Sequence, residues 1–151
     1  MPLMWKKSPS RGFTLLEVLL SVGIMAILAG IGAPIFGRSQ TKNDLDTAVV
    51  SLTQSWRRGQ VLAIANEGDS LWGVKVSAGS ITLFKGAAFA ARDTNYDETF
   101  DLPATISVSG AVGEITFSKL TGTPSATGSV SLTNFAASTT LNINSQGTVS
   151  S

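Results

Sequence analysis

Apolar and polar positions divide the chain into three textures. Residues 18–37 run for twenty positions without a charged side chain, about 30 Å of helix at 1.5 Å per residue, the thickness of a bilayer's hydrocarbon core. Beyond them Leu45, Val49, Leu52, Trp56 and Ala63 recur on one helical face among Asn43, Asp44, Asp46, Gln54, Arg57 and Arg58. That spacing predicts an amphipathic helix with one stripe turned to a core, and Asn66-Glu67-Gly68-Asp69 supplies its stop signal. The two patterns join into one rod of 54 residues from Phe13 to Asn66, about 80 Å long. Its first part, 13–36, is a transmembrane helix, and 37–66 is the amphipathic continuation.

After Asp69 the period changes to two, in LWGVKV, SITLF, TISVSG, EITFS, SVSLTN, TLNIN and GTVS, which predicts short half-buried strands. Ala78-Gly79 suits a tight hairpin, and later glycine-rich stretches supply further turns. Residues 70–151 are therefore expected to form a β-rich globular head. Its core is expected from Trp72, Val74, Val76, Ile81, Leu83, Ile106, Val108, Ile115, Phe117, Val130, Leu132, Leu141, Ile143 and Val149. The fold class is α+β: a long N-terminal helix whose amphipathic half packs on a small antiparallel β-sheet head.

Composition narrows the function. The 151 residues leave room for one membrane-length element and one domain of roughly 80 residues. Lys6, Lys7 and Arg11 precede the apolar run, so eight of the 11 basic side chains lie downstream of it against ten acidic ones. Basic residues favour the cytoplasmic side, so 1–12 is read as a short basic segment held there and the head as exported. The chain has neither cysteine nor histidine, which excludes disulfides, thiol nucleophiles, imidazole bases and the usual zinc sites. No enzyme and no cofactor are expected.

One acid stands out. Glu17 lies just inside the apolar run, where an ionised carboxylate costs roughly 2.5–3.5 kcal/mol at mid-helix and less near an end. It either snorkels to the headgroups or waits for a positive partner. Gly30, Gly32 and Pro34 place three poor helix formers within five positions, an ordinary membrane kink or a segment that stretches or melts on packing. Ala26 with Gly30, and Ala29 with Ala33, are small residues four apart that allow close helix approach. Asp93, Asn95, Asp97 and Asp101 alternate as calcium ligands do. The calcium-loop template, however, wants glycine where Glu98 stands and glutamate where Ala104 stands. A solvated acidic loop over 87–102 is expected, with these four residues a calcium candidate only and no metal site otherwise.

The stretch Gly12-Phe13-Thr14-Leu15-Leu16-Glu17, with its basic leader, apolar span and Pro34 near the far end, resembles the processing and methylation site of type IV pilins and pseudopilins. The resemblance implies that a prepilin peptidase cuts after Gly12, that 1–12 is removed, and that the new amino group of Phe13 is methylated. It assigns Glu17 to subunit assembly, through the positive chain end of a neighbouring subunit. The partners it implies are other pilin or pseudopilin subunits, the prepilin peptidase, an inner-membrane assembly platform, and membrane lipid before assembly. The location it implies is single-pass in the inner (cytoplasmic) membrane with the head outside the cytoplasm, then an extracellular or periplasmic filament.

The head, free of disulfides and closing on TLNIN-SQG-TVS, is similar to the FimT/GspH type of minor pilins and pseudopilins. Some members bind DNA through basic residues near the C-terminus. Residues 145–151 carry none, so nucleic acid is not expected through this tail. The function implied is a structural subunit of a type IV pilus or a type II secretion pseudopilus. The alternatives are a minor tip pilin whose loops 87–102 and 121–128 bind DNA, a surface or a secretion substrate, and an uncleaved anchor displaying a β-domain.

Overall fold

The structure, a computed structural model, describes residues 12–151, with the side chains of 31–41 outside that description. The leader expected at 1–12 therefore lies outside the described residues except for Gly12. The chain divides after Gly37 into two compact units.

In the first unit, helix α1 (Leu15–Ile64) begins, and every side chain described from Gly12 to Gly30 is exposed. Phe13 is 82 % exposed, and Leu15, Leu19, Met25 and Ile27 are similarly open. An apolar surface of this kind must be covered by lipid or by protein. Among the described residues no helix is long and apolar enough to cross a membrane; of the span expected at 13–36, residues 31–36 have no described side chains. Gly32 and Pro34 fall in the same gap. Gly30 lies within α1, where an added Cβ would meet nothing within 4 Å, so packing inside this chain does not demand glycine there.

The second unit holds the later turns of α1. Leu45, Leu52, Trp56 and Ala63 are buried as the amphipathic pattern predicts, Ala48 joins them, and Val49 is half-buried beside them. Eight strands follow: β1 (Trp72–Ser77), β2 (Ser80–Lys85), β3 (Asp93–Asp101), β4 (Ser107–Gly110), β5 (Glu114–Phe117), β6 (Gly128–Thr133), β7 (Ser138–Ile143) and β8 (Val149–Ser150). They form two antiparallel sheets, ordered β3-β2-β1-β5 and β4-β6-β7-β8. The expected single small sheet is thus two, and a single buried cluster joins both to the helix.

Register explains which side chains meet the helix. Val74 pairs with Leu83 and Ile115, and Trp72 with Phe117, so these side chains share one face of the first sheet. A Cβ at Gly59 of α1 would meet Leu83 Cδ1 and Phe117 Cε2, both at 3.2 Å. Helix and sheet approach closely there because that position has no side chain. Phe84, absent from the expected core, points to the opposite face, where Phe89 covers it edge-on at 5.5 Å. Gly73 lies opposite Phe84 in the ladder, and an added Cβ would come within 2.5 Å of the Phe84 ring. Leu102 and Val112 also join the core, whereas Val108 and Val149 are only partly buried.

The helix end is held by side-chain and backbone bonds from distant loops. Leu120 N donates to Ala63 O at 2.9 Å, a last-turn carbonyl that also accepts from Asn66 N at 3.1 Å. Gln60 Nε2 donates to Gly122 O at 3.1 Å and to Gln146 O at 2.7 Å, tying the β5–β6 and β7–β8 connections to one turn of helix. Replacing Gln60 by alanine leaves both carbonyls without that donor and is expected to cost about 1–2 kcal/mol. The check is a lower urea midpoint, together with faster amide exchange at Gly122 and Gly147; unchanged exchange at both would refute the clamp.

Where the helix hands over to β1, Asn66 and Asp69 take positive φ and Gly68 lies between them. Lys119 Nζ sits 2.9 Å from Asp69 Oδ1, and this hydrogen bond and charge, with a bond from Asn66, hold the Asp69 carboxyl below its ordinary value. A depressed carboxyl contributes stability above its unfolded-state value and loses it as pH falls through the folded-state value. Asp69→Asn is therefore expected to flatten the acid limb of the stability curve slightly below about pH 4. Wild-type and variant denaturation midpoints measured between neutral and acid pH test this, and parallel acid limbs would contradict it.

Candidate functional site

The candidate site is the start of α1. Thr14 stands immediately before the first helical residue, and its Oγ1 accepts a hydrogen bond from Glu17 N at 3.3 Å. Val18 N donates to Thr14 O at 3.2 Å, closing the first turn. Thr14-Leu15-Leu16-Glu17 is thus the Thr-x-x-Glu pattern of a capping box, with Glu17 at the third helical position. A carboxylate there also faces the positive end of the helix dipole. Ser21 Oγ donates to Glu17 O at 2.7 Å, one turn further on.

Gly12, Phe13, Thr14 and Glu17 line one open hollow. A Cβ on Gly12 would meet nothing within 4 Å, so no contact within the described chain requires glycine at that position. Leu15, Val18, Leu19 and Val22 line a neighbouring, wholly apolar hollow along the helix. The structure thus brings Gly12, Phe13 and Glu17 together, while Gly30 lies further along α1 and Gly32 and Pro34 have no described side chains. Thr14 is the residue that sequence reasoning passed over. Its signal was present, since a threonine three positions before a glutamate at the head of an apolar run marks a helix start.

The acidic segment differs from expectation. Residues 93–101 form edge strand β3, bulged between its pairings with Leu83 and Lys85, instead of a solvated loop. Asp97 Oδ2 accepts from Arg92 Nε at 2.8 Å, and Asp93 Oδ1 accepts from Asn95 N and Nδ2 at 3.1 and 2.9 Å. Glu98 is engaged by Arg58 at 2.6 Å. Three of the four calcium candidates, Asp93, Asn95 and Asp97, are thus engaged by neighbours close in sequence. Among the described residues no three acids group so as to hold a metal ion.

The other expected binding loop, 121–128, is also fastened. Ser125 N donates to Thr116 O at 2.8 Å, Ser125 Oγ accepts from Thr116 N at 3.1 Å, and Pro124 bridges to Phe117. The tail 145–151 forms the turn held by Asn144 Oδ1, followed by β8.

Comparison with known proteins agrees with this geometry. A family model described as the prokaryotic N-terminal methylation motif matches residues 7–33. No curated protein matches the chain in sequence. Among solved structures, the minor pseudopilin EpsH from the Type 2 Secretion System of Vibrio cholerae superposes with a TM-score of 0.54 at 12% identity, over 71% of this chain and 94% of that one. At that identity the likeness concerns the fold. The motif makes the start of α1 similar to N-terminal methylation segments, and the likeness to EpsH concerns the fold of helix and head.

Proposed function

Taking the chain as a pilin- or pseudopilin-type subunit, we propose that it is made as a precursor, inserted once in the cytoplasmic membrane through 13–36 with its head outside, cut after Gly12, methylated on Phe13, and assembled into a filament. The prepilin peptidase and an inner-membrane assembly platform are the partners of these steps. The methylation motif, set on a helix start whose apolar side chains are all exposed, is the observation that carries this reading. Such a surface has two ways of leaving water, lipid before assembly and neighbouring helices after it.

Cutting after Gly12 places a positive amino group four residues from Glu17, about 6 Å along the axis. In a bundle the carboxylate pairs with the amine of an adjacent subunit, in surroundings where an unpaired charge is costly. Methylation keeps the positive charge, so the pairing survives it. Gly30, Gly32 and Pro34 give the helix a segment able to extend as subunits pack. The fold likeness to a minor pseudopilin favours a secretion pseudopilus over a pilus. The fastened 93–101 and 121–128 segments leave a binding role for those loops without support.

Mass spectrometry of the purified chain is the test. A mature protein that begins at methylated Phe13 is the expected result. An intact Met1 terminus in the assembled form would leave only an uncleaved anchor.

A further inference from the structure

The second sheet leaves one edge unguarded. Of the sheet edges among the described residues, β3 carries Asp93, Asp97, Glu98 and Asp101 and a bulge, β5 is covered by the loop through Pro124 and Ser125, and β8 is two residues long. Charge, bulge, cover and shortness all keep a foreign strand from adding itself. Edge strand β4 has no charge and no proline, pairs with β6 in unbroken register, and leaves Ser107, Ser109 and Gly110 exposed. Ala111 N donates to Ser129 O of β6 at 3.1 Å, and in an antiparallel ladder alternate residues point the same way. Ser107 and Ser109 therefore bond to β6, while the N–H and C=O groups of Val108 and Gly110 face outward.

A cleft lies beside those groups. It measures about 170 Å³ and is lined by Val76, Ala78, Val108, Gly110, Val112 and Val130 among others. It forms where β1 outruns β5, whose pairing stops at Lys75, and where the β4–β5 connection crosses between the sheets, Gly113 O accepting from Val76 N at 2.8 Å. Gly110 stands opposite Val130 in the ladder, so a residue set across from Gly110 on a further strand turns its side chain to the same face, into the cleft. A dry cavity of about 150 Å³ takes a benzene ring, so one leucine or phenylalanine fills this one.

From this edge and its cleft we infer that β4 takes up an extended segment of another protein as an added strand of the second sheet, a segment without charges that presents one large apolar side chain opposite Gly110. Strand addition of this kind draws affinity from the main chain and selectivity from the pocket. The absence of charge follows from the receiving surface. Strands β4, β6, β7 and β8 carry no charged side chain, so a charged residue laid against them loses water and meets no counter-charge. A second copy offers its own β4 poorly, because its Val108 already packs against its own core. The site lies apart from the start of α1 and does not rest on the subunit reading.

Selection of random peptides displayed on phage, against the full-length protein in detergent micelles, tests it. Enriched peptides are expected to lack charge and to share one leucine, isoleucine or phenylalanine between small polar residues, and their binding to slow amide exchange at Val108 and Gly110. Ala78→Asp, in the exposed hairpin turn at the rim of the cleft, is expected to weaken binding about tenfold or more, since it sets a charge against the apolar side chain. Val108→Pro removes an outward N–H and none of the bonds to β6, and is expected to weaken it about fivefold. Should the proline change unfold the head, Ala78→Asp decides alone.

Charge-rich peptides, no enrichment, or binding that Ala78→Asp leaves unchanged overturns the inference. So does a Ser109→Cys protein that oxidises to a 109–109 dimer instead of taking up peptide, because the occupant is then a second copy. None of these outcomes alters the chain start at Phe13 by which the subunit reading is judged.

Discussion

Replacing Glu17 by alanine is expected to leave the protein in the membrane fraction while cutting its incorporation into filaments about tenfold or more. The two halves of that result have different causes. Within one chain Glu17 contributes a helix-start position and a favourable dipole interaction, together about 1 kcal/mol or less, too little to unseat an apolar helix. Between chains, in the proposed assembly, removing it would strand a neighbour's charged terminus in a low-dielectric surrounding, at a cost of several kcal/mol. Glu17→Gln separates the two, because glutamine serves a capping box as well as glutamate but carries no charge. A Gln variant that incorporates like wild type, measured in sheared filaments, would mean that the helix start and not the charge pair is what assembly needs.

Trp56→Ala is expected to destabilise the head by about 3–5 kcal/mol. Against a total of roughly 5–15 kcal/mol for a domain of this kind, that is a large part of the whole. Trp56 is among the largest fully buried side chains and belongs to the cluster that joins α1 to both sheets, so truncation opens a cavity where three layers meet. Its Nε1 is buried and finds no acceptor among the described residues. Trp56→Phe is therefore expected to cost far less than the alanine change, since it keeps most of the ring area and removes an unsatisfied donor. Urea midpoints of the three proteins decide it, and a Phe variant as weak as the Ala variant would show that the indole nitrogen does find a partner.

What could be read before the fold was known follows from where burial leaves a period. The stripe Leu45, Leu52, Trp56, Ala63 appeared at helical spacing because one face of α1 is buried and the other is wet. Ile81 with Leu83, and Leu141 with Ile143, alternated because one face of each strand meets the core. Strand β3 was not legible for the same reason turned round. Both of its faces are largely open, so DTNYDETFD carries no apolar alternation. It is a strand because β2 offers it hydrogen bonds and because Tyr96 packs on Trp72 at 6.2 Å and under Lys85 at 4.2 Å. Phe84 broke the alternation of its strand, and its burial comes from Phe89, which arrives after the strand ends, and from the room left at Gly73.

The candidate site divides in the same way. Gly12, Phe13 and Glu17 are local in sequence, so their spacing alone presented them, and Thr14 belonged to the same short signal. The calcium spacing presumed a loop, whereas the pairing with β2 draws the segment out as a strand.

By itself, then, the sequence determined what depends on neighbours along the chain: a charge-free apolar run, an amphipathic stripe and seven strands marked by their own alternation. The tertiary structure alone decided what depends on residues far apart. The strands split into two sheets, Gly59 lets helix meet sheet, Gln60 clasps two distant connections, and Arg58 reaches Glu98. The reason is that period and capping are set by bonds a few residues long, whereas the pairing of edges and the covering of faces are settled only when the whole chain competes for the same buried surface.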